Sequence, residues 1–164
     1  MNTNICYLFS KNCKIGSKLI SWGSKHLAID SDNVPSHGAI LVNNRWVIES
    51  TIETGVRVIS FTKWKKINII CAKIEEPCHI PFSVIKIEFR NLQGCKYDRY
   101  GVLYSAIHVL LNKFFNIKVP QVNKWQNPDR YFCLEVLGRL NKMNYEMTTP
   151  VELMDKLLQK NVIK

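Results

Sequence analysis

No run in this sequence approaches the roughly 20 apolar residues that a bilayer-spanning helix needs, and its longest apolar stretches are broken within a few positions. The opening Met1-Asn2-Thr3-Asn4-Ile5-Cys6 lacks the basic segment, apolar core and small-residue cleavage site of a secretory signal. The expectation is a cytoplasmic protein. Also missing are internal repeats, low-complexity tracts, a Gly-rich phosphate loop, and any Cys-x-x-Cys or His-x₃-His pair. These absences exclude solenoids and nucleotide-loop proteins, and they leave structural zinc a weak idea even with Cys71, Cys78 and His79 close in sequence. No cofactor is expected. Acidic residues are scarce: 13 Asp and Glu face 23 Lys and Arg, a formal charge of +10. That excess points to a basic surface turned to phosphate, to an anionic polymer or to solvent.

What is present bounds the rest. The chain has 164 residues, of which 46% are hydrophobic and 22% charged, enough for one ordinary core and too few for two. We expect a single domain over residues 1–164. The six cysteines, at 6, 13, 71, 78, 95 and 133, are expected to be free thiols, because a chain of this size without a secretory signal does not need disulfide staples.

Hydrophobic spacing predicts an α+β protein, a small antiparallel sheet packed against helices. Ile15, Leu19 and Trp22 predict a short helix over 14–26, followed by a polar loop at 30–36. Strands are predicted at 38–42, 45–50, 56–59 and 67–73, the first two joined through Asn43-Asn44. Residues 81–91 fit helical and alternating spacing equally. Helices are predicted over 98–115, from about 131, and from a capping box at Thr149-Pro150-Val151-Glu152 to about 159.

Three segments carry groups that together could perform nucleophilic catalysis. His37 opens the first strand of the hairpin, Glu49 stands near the end of the second, and Cys133 falls in the first turn of a helix. Strand side chains alternate faces, so His37 and Glu49 share a face only if the hairpin loop holds an odd number of residues. We therefore predict an odd loop or a bulge in place of a two-residue Asn43-Asn44 turn. Glu49 could then fix the imidazole tautomer, leaving the second ring nitrogen as a base. A thiol at a helix start meets unpaired backbone N–H groups, which favour the thiolate and can receive an oxyanion. Taken singly, each of the three residues reads as ordinarily as a core thiol, an edge histidine and a strand-end acid.

The texture around them is more specific. Ser36-His37-Gly38-Ala39-Ile40-Leu41-Val42, then Val47-Ile48-Glu49-Ser50-Thr51 with Gly55-Val56, then Tyr97-Asp98 ahead of a long helix, then Tyr131-Phe132-Cys133-Leu134-Glu135-Val136-Leu137 resembles the circularly permuted branch of the NlpC-type papain-like cysteine hydrolases. Lecithin:retinol acyltransferase-like proteins and small bacterial, phage and poxviral proteins belong to that branch, in which His and a second polar residue precede the nucleophilic Cys. The resemblance spans about residues 6–143. It implies a permuted papain-like fold, His37 as general base, Glu49 as its orienting partner and Cys133 as nucleophile. It also implies transfer or hydrolysis at an amide or ester carbonyl, with a peptide or isopeptide amide as first substrate class and a lipid acyl group as second. Two positions depart from the pattern: Gly38 stands where a bulkier residue is usual, and Leu134 where a small Ser is common.

A competing class remains: a basic, non-catalytic protein that contacts nucleic acid or an anionic membrane surface. Lys63-Trp64-Lys65-Lys66 interleaves an aromatic with cations as single-strand binders do, although such runs are more often solvated turns. Tyr97, Tyr100, Tyr104 and His108 read as a polar-aromatic packing seam on the long helix, or as a groove wall.

Overall fold

The computed structural model describes residues 4–12, 34–76, 81–116, 127, 129–141 and 149–162. The helix expected over 14–26 lies outside them, as do Cys13 and Cys78. Five strands form one antiparallel sheet: β1 (Ile5–Lys11), β2 (His37–Val42), β3 (Trp46–Thr51), β4 (Gly55–Ser60) and β5 (Ile69–Glu76), in spatial order β4-β3-β2-β1-β5. Helices α1 (Phe61–Lys65), α2 (Phe82–Leu92), α3 (Arg99–Phe115), α4 (Cys133–Asn141) and α5 (Pro150–Val162) complete the described elements. The expected α+β class and antiparallel sheet are what the chain forms.

Alternation assigns each strand residue to a face. Ile5, Tyr7, Phe9, Ile40, Val42, Ile48, Val56 and Ile74 join one buried cluster with residues of α2, α4 and α5. Their neighbours Cys6, Leu8, Ala39, Leu41 and Val47 turn the other way and close over Trp64 of α1. β1 is thus buried on both faces, between β2 and β5, and no strand was expected there. Its Ile5-Cys6-Tyr7-Leu8-Phe9 run is apolar without a break, so the period of two that betrays a half-buried strand is absent.

The hairpin between β2 and β3 closes through a three-residue loop, Asn43-Asn44-Arg45, since Val42 pairs with Trp46. Both asparagines take positive φ, 51° and 52°, a region their short polar side chains tolerate. The odd loop expected from the His37/Glu49 parity is therefore present. The next connection is odd as well: Thr51 pairs with Gly55, and Glu49 faces Arg57 directly across the β3–β4 ladder. Gly55 has φ 65°, and a Cβ there would run into the Cys95 carbonyl, to which Val56 N–H donates at 2.9 Å.

The undecided segment 81–91 is helical, α2. Asp98 caps α3 by accepting from Gly101 N–H at 2.9 Å, so Tyr97 precedes that helix and does not share a face with Tyr100 and Tyr104. Tyr97 packs on the core while Tyr100 is exposed, which dissolves the expected seam; the side chain of His108 lies outside the described ones. The capping box at Thr149 is formed reciprocally: Glu152 N–H donates to Thr149 Oγ1, and Thr149 N–H to Glu152 Oε2.

Candidate active site

Cys133 occupies the first position of α4. The chain enters that helix at Phe132, whose carbonyl accepts from Val136 N–H and whose N–H donates to Glu135 Oε2 at 2.9 Å. Glu135 thus supplies the returning half of a capping box, and the Cys133 and Leu134 N–H groups lie in the first turn, where an α-helix supplies no carbonyl of its own. Ser50 Oγ of β3 ties this helix start to the sheet by donating to the Tyr131 carbonyl at 2.6 Å, and Tyr131 N–H donates to the Lys96 carbonyl at 3.0 Å as part of a parallel bridge between Lys96 and Arg130.

Gly38 lets α4 sit close to β2. A Cβ on residue 38 would stand 2.9 Å from Leu134 Cδ2 and 3.5 Å from Leu137 Cδ2. The two departures from the family pattern are therefore one packing pair: Leu134, buried at 1% exposure, fills the space that a side chain at 38 would take.

His37 is the first residue of β2, so its ring lies at the end of the sheet. There its Nε2 is 2.8 Å from Glu49 Oε2, with Glu49 only 1% exposed. A carboxylate is acceptor-only, so Nε2 carries the proton in that bond. Cys133 acts on the same ring through hydrogen bonding and charge, and Nδ1 is the nitrogen left to face it. All three residues singled out from the sequence are brought together.

Two further residues belong to the cluster and were not foreseen. Arg57 donates from Nε and Nη2 to Glu49 Oε1, at 2.9 and 2.6 Å, and Trp64 Nε1 donates to Glu49 Oε2 at 2.8 Å. Arg57 could have been found by extending the parity argument one hairpin further, through the three residues between Thr51 and Gly55. Trp64 had been read as an exposed aromatic among lysines; in fact α1 turns it inward, fully buried.

The electrostatics follow from this arrangement. Burial by itself would push His37 down, but hydrogen bonds and charge from Cys133 and Glu49 reverse it, to about 10 from an ordinary 6.5. Burial would raise Glu49; hydrogen bonding and charge from His37, then hydrogen bonds from Arg57 and Trp64, hold it down at about 2. At neutral pH an imidazolium thus stands between the Glu49 carboxylate and the Cys133 side chain. Burial, then the charge of Cys133, pushes the Tyr97 phenol well above its usual range, so it remains a neutral hydroxyl.

Among the described residues, no group of three or more His, Cys, Asp or Glu side chains is disposed to hold a metal ion. Comparison with protein-family models, with curated proteins and with solved structures returns no match. Function is accordingly read from the chemistry of the site.

Proposed function

We propose that this chain is a thiol hydrolase or acyltransferase of permuted papain-like arrangement, with Cys133 as nucleophile, His37 as general acid and base, and Glu49 as the residue that orients His37. The single observation that carries the reading is the position of the His37 ring, bonded through Nε2 to a buried carboxylate and partnered by the thiol at the first turn of a helix. In the acylation step the Cys133 thiolate attacks the carbonyl carbon, and the oxyanion is received by first-turn N–H groups of α4. As the intermediate collapses, the bond to the leaving nitrogen or oxygen breaks and His37 gives that atom its proton, leaving a thioester on Cys133. Neutral His37 then takes a proton from water, or from an acceptor nucleophile, which attacks the thioester and frees the thiol. The substrate is an acyl compound, with a peptide or isopeptide amide the first class and a lipid ester or amide the second.

The competing picture of a nucleic-acid binder loses its aromatic feature and keeps the +10 charge. Trp64 is occupied by Glu49 and is unavailable for stacking on a base. Contact with an anionic membrane surface rests on the +10 charge alone.

Activated esters and anilides of short peptides and fatty acids provide the test. The expected result is an acyl adduct on Cys133 by mass spectrometry, with kcat/KM falling by about 10³ or more in Cys133→Ala and His37→Ala. Turnover that persists in Cys133→Ala would sink the proposal.

A further inference from the structure

Glu49 has two oxygens and four donors. Oε1 takes both Arg57 N–H groups, and Oε2 takes the Trp64 indole and His37 Nε2. Three of the four come from residues outside the Cys-His-Glu set, and they arrive from two directions. Arg57 lies directly across the β3–β4 ladder, and Trp64 rises from α1, which Ser60 caps immediately after β4. A carboxylate held only by His37 could rotate about its terminal torsion, which is broad. With Oε1 forked by a guanidinium and Oε2 pinned by an indole, one direction remains for the imidazole proton.

We propose that Arg57 and Trp64 are positioning residues of the active site: together they lock the Glu49 carboxylate so that it accepts from His37 Nε2 in one orientation, which aims Nδ1 at Cys133. This inference rests on the thiol-hydrolase reading for its catalytic meaning, while the positioning itself can be observed without turnover. The groups facing the lock are few. Glu49 is met by His37 from β2, Arg57 from β4 and Trp64 from α1. His37 is met in turn by Cys133 from α4 and, across the β1–β2 ladder, by the uncharged Ser10. Tyr97 is linked through charge to Cys133, Glu135, Asp98 and Glu53. The two hydrogen-bond donors also help keep Glu49 ionised, so removing either brings its protonation to higher pH.

The test uses the full chain and three variants, Arg57→Gln, Arg57→Lys and Trp64→Phe, each checked for a folded spectrum. Two readouts are taken: the downfield ¹⁵N-coupled proton of His37 Nε2, and the pH profile of Cys133 alkylation by iodoacetamide. In wild type the proton is expected to be sharp and slow to exchange. Arg57→Gln should broaden or abolish it and move the acid limb of alkylation up by about one pH unit or more. Trp64→Phe, which keeps an aromatic ring in the cavity, should shift both in the same direction. Arg57→Lys should retain the resonance with an intermediate limb, since a single ammonium replaces a fork. Folded Arg57→Gln and Trp64→Phe with the wild-type resonance and limb would overturn the proposal, and if Arg57→Gln does not fold, Trp64→Phe and Arg57→Lys decide alone. A resonance that responds as expected while Cys133 shows no selective reactivity would keep the positioning role and defeat the hydrolase reading instead.

Discussion

At the scale of the residue, the decisive fact is that a fully buried glutamate is kept ionised by four donors, and that one of these is the histidine beside the candidate nucleophile. Left unpaired, such a charge would cost several kcal/mol; here each lone pair is used. The consequence for stability has a sign on each side. Glu49 is depressed from 4.5 to about 2, so its contribution is complete above pH 4.5 and is lost as pH falls toward 2. His37 is raised from 6.5 to about 10, so its contribution is complete below pH 6.5 and is lost as pH rises toward 10. The cluster should therefore stabilise the fold most between about pH 4.5 and 6.5. Urea unfolding from pH 3 to 10 checks this: the wild type should lose stability on both flanks, and Glu49→Gln should flatten the profile. Parallel curves for the two proteins would show that the ion pair is not what titrates.

At the scale of the element, the site depends on how closely one helix approaches one strand. α4 reaches β2 because residue 38 has no side chain and Leu134 occupies the vacancy. Gly38→Ala should cost about 1–3 kcal/mol by overpacking, and Leu134→Ala about 2–4 kcal/mol by the cavity it leaves. The double variant should be less destabilised than the sum, by about 1 kcal/mol, because each change relieves the other. Strict additivity in thermal or urea unfolding would deny that these residues are a pair. The same elements show what could be read in advance. The β2–β3 hairpin was legible because parity is a hard constraint: two odd-numbered residues meet only across an odd loop, and the asparagines permit one. The start of α4 was legible from the Cys133 region's helical spacing, and α5 from its capping box. β1 was not legible, because a strand covered on both faces has no alternation to display. Trp64 was misread because the three cations around it dominate the local composition, whereas a five-residue helix suffices to send one side chain inward. Arg57 was passed over for a different reason: a cation in a strong cationic excess carries no local signal until its cross-strand partner is known.

At the scale of the whole molecule, the +10 charge recedes as a statement about function. Among the described residues the ion pairs of Glu49 set one buried carboxylate between a guanidinium and an imidazole, built across β2, β3 and β4. No helix among the described residues is long and apolar enough to cross a membrane. What the molecule offers chemically is a contrast between thiols. Burial pushes Cys6, Cys71 and Cys95 up from their ordinary value of 9.0, which keeps them as poorly reactive thiols at neutral and acid pH. Cys133 alone among these described cysteines has His37 as a partner. At pH 5.5 a thiol of ordinary value 9.0 is about 0.03% thiolate, so a neighbouring imidazolium is what would set one cysteine apart. Even after the lower intrinsic nucleophilicity of a stabilised thiolate, the difference should exceed about tenfold. The most direct measurement is residue-resolved labelling with iodoacetamide, a small probe suited to a residue that is 5% exposed, at pH 5.5 and quantified by mass spectrometry in wild type and His37→Ala. A Cys133–His37 pair predicts that Cys133 is labelled at least about tenfold faster than Cys6, Cys71 or Cys95, and that the preference disappears in His37→Ala. Equal labelling of all four cysteines, or a Cys133 rate indifferent to His37, would contradict it.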